Sequence, residues 1–168
     1  MATDEPRAVL WDMDGTLIDS AEYHWLGWQE TLGREGHAVT RERFLSTFGR
    51  RNDAVLRDLL GEDLADTEIV RLAAAKEERY RELVATGGIE PLPGVREWLT
   101  RLRDAGWRQA VASSAPRLNI ATILDALGRA EAFDAVAGEE DVERGKPDPQ
   151  IFLVAAAKLG VPPARCVV

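Results

Sequence analysis

The first strong pattern in the chain is a run of four apolar residues, Ala8–Trp11, close to the N-terminus. A short, continuous apolar run of this kind predicts a buried strand. Two acidic residues, Asp12 and Asp14, come directly after it. Since open α/β sheets bind ligands beyond the carboxyl ends of their strands, we expect both carboxylates to lie where a ligand binds.

A long segment with helical periodicity follows this strand. Apolar side chains recur at helical spacing from residue 18 to residue 92, and no strand pattern interrupts them. The turn cluster Pro91–Gly94 marks the end of the segment. We therefore predict one helical unit over residues 18–92, inserted after the first strand and suited to act as a lid that moves relative to the core.

Helical and strand patterns alternate beyond that turn. The predicted elements are helices at 95–102, 120–127 and 151–159, and strands at 110–112, 133–137 and 165–168. Strands that alternate with helices indicate parallel βα units with right-handed crossovers. The sequence therefore predicts an α/β fold whose core is formed by residues 1–17 and 93–168.

Composition limits the kinds of molecule that this protein is expected to bind and the compartment in which we expect it. The formal net charge is −8, which argues against nucleic acid or an anionic membrane as the main partner. No apolar stretch approaches the roughly 20 residues of a membrane span, and the N-terminus lacks the apolar region of a secretory signal. The single cysteine, Cys166, excludes an internal disulfide and fits a reducing compartment. We therefore expect a cytoplasmic protein, and we expect it to be a monomer.

The segment DMDGT, residues 12–16, points to phosphoryl chemistry. A carboxylate such as Asp12 can attack a phosphorus centre and form an aspartyl-phosphate, and Asp14, two residues on, can move a proton in the same space. Gly15 permits a sharp turn, and Thr16 offers its hydroxyl to a phosphate oxygen. The alternative is a strand end followed by a solvated turn, but the buried strand in front of the segment favours chemistry.

Three strand ends present polar groups at the same edge of the predicted sheet: Asp12 with Asp14, then Ser113, then the loop that carries Lys146. This ordered set resembles the motifs of the haloacid dehalogenase (HAD) superfamily of phosphohydrolases. The matching segments are DMDGT at 12–16, VASS at 111–114 and GKPDPQIF at 145–152. The resemblance covers nearly the whole chain and implies a Rossmann-like parallel-sheet core with an inserted α-helical cap.

The resemblance also implies roles for the core residues. Asp12 would be the nucleophile, and Asp14 would protonate the leaving oxygen and then activate water. Lys146 would neutralise charge on Asp12 and on the phosphate. Mg²⁺ would bridge Asp12, the phosphate and the main-chain carbonyl of Asp14, in keeping with its preference for oxygen ligands. Read by itself, Lys146 could equally be a solvated loop charge.

Hydroxyl groups supply further candidates for binding the phosphorylated substrate. By the same resemblance, Ser113 would donate a hydrogen bond to a phosphoryl oxygen, and Thr16 and Ser114 are added as substrate-binding residues. The alternative for Ser113 is a strand-end hydroxyl that caps the next helix.

Within the helical segment, three residues are candidates for contact with substrate: His24, Arg51 and Lys76. Their surroundings resemble β-phosphoglucomutases and related phosphatases, including the phosphoglycolate phosphatases: DSAEYHWLGW at 19–28, FGRRND at 48–53, and Lys76 four residues before Tyr80. Each has a plain structural alternative. A lone histidine is often structural, an arginine can lie in a solvated loop, and Lys76 can be a surface charge on an amphipathic helix.

The family's fourth motif, an acidic segment that completes the Mg²⁺ site, does not appear before the chain ends at Val168. The resemblance therefore predicts a core whose C-terminal part is missing. With few fixed oxygen ligands, we expect this chain to bind Mg²⁺ weakly and to turn over poorly.

Two enzymatic functions and one non-catalytic alternative stay open. The first is a Mg²⁺-dependent phosphatase acting on a small phosphorylated metabolite such as a sugar phosphate, which Thr16 favours. The second is a β-phosphoglucomutase-like phosphomutase, which His24 and its flanking residues favour. The third is an inactive truncated fragment of such an enzyme.

Overall fold

The computed structural model describes residues 6–128 and 130–168, and the chain divides into two compact units. The first unit comprises the described residues through Asp19 together with Glu90–Val168, and the second comprises Ser20–Ile89. Residues 1–5, which the sequence assigns to the core, lie outside the described residues.

The division falls slightly inside the predicted insert, whose bounds were 18 and 92. Ile18 and Leu92 both belong to the first unit. The N–H of Leu92 donates to the carbonyl of Leu17 at 2.9 Å, and Ile18 forms an antiparallel bridge with Pro91. These backbone bonds tie the two crossing segments into the first unit.

In the described residues, a helical block follows β1, and helices and strands alternate after it, as predicted. In chain order the elements are β1 (Ala8–Trp11), α1 (Ala21–Arg34), α2 (Arg41–Leu45), α3 (Asn52–Leu60), α4 (Asp66–Gly87), α5 (Val95–Asp104), β2 (Arg108–Ala112), α6 (Arg117–Leu127), β3 (Ala135–Ala137), α7 (Gln150–Leu159) and β4 (Cys166–Val167). The four strands pair in parallel in the order β3-β2-β1-β4, with Leu10 opposite Ala110. The predicted α/β fold is confirmed.

Two strands are shorter than predicted. β3 begins at Ala135 rather than at Phe133, because Ala130–Ala132 forms a 3₁₀ turn whose first carbonyl accepts from the N–H of Phe133. β4 begins one residue later than expected and covers two residues.

The core of the first unit places α7 against one face of the sheet. Alanines are buried on both sides of this contact, among them Ala110 and Ala137 in the strands and Ala155 and Ala156 in the helix. Small side chains let the helix backbone come close to the strands, so the start of α7 is held firmly near their carboxyl ends.

The interior of the first unit also holds the polar side chain of Gln109 in β2, which is 1% exposed. Its amide nitrogen donates to the carbonyl of Leu99 in α5 at 2.9 Å, and its oxygen accepts from the indole of Trp11 at 3.0 Å. Because both ends of the amide are satisfied, burial of this group is compatible with a stable core.

The second unit is helical throughout its regular structure. Its apolar core gathers Trp25, Trp28 and Leu32 from α1 with side chains from the other three helices: Phe44, Val55, Leu56, Ile69 and Leu72. In the described part of the chain, no helix is both long and apolar enough to cross a membrane.

Candidate active site

The turn that follows β1 is built on one carbonyl. The oxygen of Met13 accepts backbone N–H groups from Thr16, Leu17 and Ile18, at 3.2, 2.9 and 3.2 Å. Gly15 adopts φ +80°, in the left-handed region that favours glycine, and this closes the turn. The sharp turn expected from the sequence is therefore present, and Thr16 is exposed on it.

Asp12 and Asp14 flank the fully buried Met13, and each keeps partial exposure. The Oδ1 atom of Asp12 accepts from the N–H of Met13 at 2.8 Å and from Nζ of Lys146 at 2.7 Å. The described residues provide no hydrogen-bond partner for Oδ2. One carboxylate oxygen of Asp12 is thus fixed by two donors, while the side chain as a whole is 34% exposed.

Lys146 reaches Asp12 from the loop before α7, across 134 residues of chain. Its Nζ also donates to the carbonyl of Ala112, the last residue of β2, at 3.3 Å, and lies 5.0 Å from the ring centroid of Phe152. A carboxylate, a carbonyl and an aromatic face are all attractive to an ammonium group. The solvated-charge alternative for Lys146 is therefore wrong in this structure.

Ser113 and Ser114 follow β2 at the same edge of the sheet. Ser113 is 1% exposed; its N–H donates to the carbonyl of Ala137 at 3.1 Å, and its Oγ accepts from the N–H of Ala115 at 3.1 Å. The hydroxyl thus supports the loop rather than the helix end, since the residue before α6 is Pro116. Because a hydroxyl accepts and donates at once, its proton is still available to a ligand oxygen. Ser114 is partly exposed.

His24 and Lys76, both predicted to contact substrate, come together inside the second unit. Nζ of Lys76 lies 2.8 Å from Nδ1 of His24, and the imidazole stacks on the ring of Tyr80 at a centroid distance of 4.1 Å. The rings of Trp28 and Tyr80 lie 5.3 and 5.4 Å from Nζ.

Two residues that sequence reasoning missed complete this cluster. Glu77 accepts through Oε1 from Lys76 at 2.7 Å and from the amide of Asn52 at 2.7 Å. The side chains of Lys76 and Glu77 are 2% and 8% exposed, so the surface-charge alternative for Lys76 is wrong. A glutamate directly beside a lysine gives little signal in sequence, because neighbouring helix residues do not normally face each other.

The charge state of Glu77 follows from these contacts. Burial by itself would raise the pKa of this carboxyl. The attraction of Lys76 and His24, together with hydrogen bonds from Lys76 and Asn52, outweighs burial and holds the pKa below its ordinary value of 4.5. Glu77 is therefore ionised at neutral pH.

Arg51 is placed differently from the other two candidates of the second unit. It precedes α3 at the N-cap position, and its Nε lies 3.3 Å from Oδ1 of Asp53 in the first turn of that helix. The guanidinium side chain is 19% exposed. This pairing holds the guanidinium at the start of α3, where it stays partly accessible.

The residues near Asp12 offer a metal ion a few oxygen ligands but not a complete set of protein ligands. Within residues 6–128 and 130–168, no three His, Cys, Asp or Glu side chains gather closely enough to hold one. Mg²⁺, however, is commonly held by one or two carboxylates together with substrate phosphate and water. The Asp12 carboxylate and the main-chain carbonyl of Asp14 are ligands of this hard type, so the residues fit a cation that is shared with a phosphate.

Known proteins with similar sequences indicate the family of this chain. A model of the family described as haloacid dehalogenase-like hydrolase matches residues 6–168. Protein CbbY of Rhodobacter capsulatus is 33% identical over 172 residues, covering 97% of this chain and 76% of the relative. Fructose-1-phosphate phosphatase YqaB of Escherichia coli is 31% identical over 166 residues, covering 95% of this chain and 84% of the relative.

The fold agrees with the sequence comparison. The crystal structure of β-phosphoglucomutase from Clostridium difficile superposes with a TM-score of 0.86 at 27% identity, covering 96% of this chain and 74% of that one. The family match spans nearly all of the described residues, and the similar proteins include a phosphatase and a phosphomutase. The chain therefore belongs to the haloacid dehalogenase-like hydrolases, in the branch that contains phosphatases and phosphomutases.

Proposed function

We propose that this protein is a phosphatase that hydrolyses a small phosphorylated metabolite, in the class of sugar phosphates, through an aspartyl-phosphate on Asp12. One observation carries the proposal. Oδ1 of Asp12 is held by Met13 and Lys146, whereas Oδ2 has no partner among the described residues. A carboxylate fixed at one oxygen and open at the other is oriented to act as a nucleophile.

The first half-reaction transfers the phosphoryl group to the enzyme. Oδ2 of Asp12 attacks phosphorus, the bond from phosphorus to the alcohol oxygen of the substrate breaks, and Asp14 donates a proton to that oxygen. Lys146 lowers the repulsion between the carboxylate and the phosphate, because its ammonium can attract both anions. Ser113 donates its hydroxyl proton to a phosphoryl oxygen. Thr16 and Ser114 offer their hydroxyls to the same phosphoryl group.

The second half-reaction returns the enzyme to its starting state. Asp14, now ionised, takes a proton from a water molecule, and the oxygen of that water attacks phosphorus. The bond between phosphorus and Asp12 breaks, which releases inorganic phosphate and regenerates both carboxylates in their original protonation states.

Mg²⁺ is the cofactor that we propose, with Asp12 and Asp14 as its protein ligands. When bound, the cation would offset negative charge on the phosphoryl oxygens. Because two protein oxygens are few for Mg²⁺, we expect weak binding to the protein alone and tighter binding when inorganic phosphate is present. Calorimetric titration of Mg²⁺ with and without phosphate measures this difference.

The nucleophile is tested by Asp12→Asn. We expect turnover of an aryl phosphate to fall at least about a thousandfold, since the amide is a poor nucleophile. Asp104→Asn is the matched control, because Asp104 is an exposed aspartate at the end of α5. Mass spectrometry of acid-quenched enzyme should find a phosphoryl group on the peptide that contains Asp12. Near-normal turnover in Asp12→Asn would end the proposal.

A phosphomutase is the second candidate, and the fold likeness to β-phosphoglucomutase favours it. The two functions differ in the acceptor of the phosphoryl group, which is water in one and a sugar hydroxyl in the other. A panel of hexose and pentose phosphates separates them, because a mutase yields the isomeric phosphate with little free phosphate. The role of residues 18–92 as a cap and the contacts of His24, Arg51 and Lys76 with substrate stay predictions. The monomeric state and the cytoplasmic location also stay predictions.

A further inference from the structure

The loop that carries Lys146 is held by the side chain of Gln150, the first residue of α7. Its Oε1 accepts two backbone N–H groups, from Glu143 at 3.1 Å and from Arg144 at 2.8 Å. One amide oxygen thus satisfies two consecutive donors that lie just before Lys146 in the chain. Neither donor belongs to a helix or strand, so this side chain provides bonds that regular structure does not.

A second set of bonds anchors Gln150 and closes the other side of the loop. The N–H of Gln150 donates to Oδ1 of Asp148 at 2.9 Å, and the N–H of Asp148 donates to the carbonyl of Gly145 at 3.0 Å. The other oxygen of Asp148 lies 3.1 Å from Nε of Arg144. Residues 143–148 are therefore tied at both ends to the first turn of α7, which packs on the sheet.

Lys146 lies between these anchors, and its own contacts need a fixed backbone. A lysine side chain has four rotatable carbons, so its ammonium is well placed only when its Cα is held and its end is attracted. The end is attracted by Asp12, the Ala112 carbonyl and the Phe152 ring. The Cα is held by the bonds that converge on Gln150.

We propose that Gln150 is a positioning residue for catalysis: by accepting the N–H groups of Glu143 and Arg144, it holds the Lys146 ammonium at Asp12. This inference rests on the proposed function, because it assigns a catalytic benefit to the placement of Lys146. Gln150 itself touches neither Lys146 nor Asp12 in any contact that the described residues show, so it acts through the loop.

Two substitutions separate the acceptor from the bulk of the side chain. Gln150→Leu keeps a similar size and removes the acceptor, whereas Gln150→Glu keeps an acceptor oxygen. We expect kcat to fall about tenfold in Gln150→Leu, the scale of one or two neutral hydrogen bonds, with KM nearly unchanged. Gln150→Glu should retain most of the activity. Gln29→Leu, at an exposed glutamine of α1, is the matched control and should behave as the parent protein.

NMR provides readouts that do not depend on turnover. Amide hydrogen exchange should speed up at Glu143 and Arg144 in Gln150→Leu but not in Gln150→Glu. The ¹⁵Nζ signal of Lys146 is resolvable because the chain contains three lysines, and it should shift only in Gln150→Leu. These two measurements hold even if Asp12→Asn shows that the proposed reaction is wrong, so failure of the function and failure of the positioning are distinguishable.

Three results would overturn the inference. The first is an unchanged Lys146 signal in Gln150→Leu despite faster exchange at the two amides. The second is unchanged kcat in that variant when Asp12→Asn abolishes turnover. The third is an equal loss of kcat in Gln150→Leu and Gln150→Glu, which would show that the acceptor oxygen is not the cause.

Discussion

A lysine–carboxylate pair in the first unit and another in the second have the same N···O separation but very different surroundings. In the first unit, Lys146 lies 2.7 Å from Asp12, with side chains 19% and 34% exposed. In the second, Lys76 lies 2.7 Å from Glu77, with side chains 2% and 8% exposed. Distance alone therefore does not distinguish a reactive pair from a structural one.

The surroundings of the two carboxylates make the distinction. Asp12 receives both of its donors on one oxygen and keeps a third of its side-chain surface accessible, so an anion can approach it. Glu77 is enclosed by Lys76 and Asn52 within a helical unit, where desolvation makes each bond hard to replace. We infer that the Asp12 carboxylate of the first pair can accept a ligand as a new partner. The second pair instead fixes the arrangement of α1, α3 and α4.

The sharpest test of this contrast removes the buried cation. Lys76→Met keeps the length of the side chain but removes the cation closest to the buried Glu77, so we expect the unfolding free energy of the second unit to fall by about 3–5 kcal/mol. Amide hydrogen exchange in α1 and α4 measures this locally. Lys158→Met is the control, because Lys158 pairs with Asp141 at 2.8 Å but is 30% exposed, and about 1 kcal/mol or less is expected there.

A second substitution checks that the cost comes from the stranded charge. Replacing both partners, Lys76→Met with Glu77→Leu, should recover part of the lost stability, because the buried charge is removed while the Asn52 amide loses its acceptor. If Lys76→Met and Lys158→Met destabilise the protein equally, burial is not what separates these pairs.

The matching change in the first unit should affect activity instead of stability. Lys146→Met removes the positive charge beside Asp12, and we expect turnover to fall by about 10²–10³, the scale of losing one preorganised electrostatic contact. Because Asp12 is partly exposed, water can solvate it once Lys146 is gone, so the melting temperature should hardly change. Steady-state kinetics and a thermal melt on the same sample measure both, with Lys158→Met as the control for removal of a lysine charge. A large fall in melting temperature with unaltered turnover would reverse the roles that we assign to the two pairs.

The residues of the first pair could be predicted from sequence for a clear physical reason. The apolar run Ala8–Trp11 encodes a buried strand locally, so the carboxylates that follow it are placed by a short-range pattern. Lys146 came from the order of motifs after successive strands, since parallel strands bring their carboxyl ends to one edge. The α/β class followed from the same alternation.

The second pair could not be predicted, because it depends on packing between helices far apart in sequence. The amphipathic pattern of α4 did not reveal that Lys76 faces α1, and nothing local indicates that Asn52 meets Glu77 across 25 residues. The role of Gln150 could not be predicted for a related reason. Its side chain accepts hydrogen bonds from loop backbone, and apolar periodicity does not determine the path of a loop. Tertiary context decides such contacts.

The smallest expected effect concerns pH and isolates the carboxylate of the buried pair. The pKa of Glu77 lies below its ordinary value of 4.5, because its partners outweigh burial, so the ionised form is favoured by folding. Its contribution is fully present above pH 4.5 and is lost as the pH falls from there through the folded-state pKa, since the unfolded chain binds the proton first. The slope cannot exceed that of one proton, about 1.4 kcal/mol per pH unit. Exchange-derived stability of the second unit in the parent and in Glu77→Gln should differ by a constant amount above pH 4.5, and the difference should shrink below it. A difference that grows on acidification would show that Glu77 prefers its protonated form in the folded unit, and the buried pair would then be a neutral hydrogen bond rather than an ionic one.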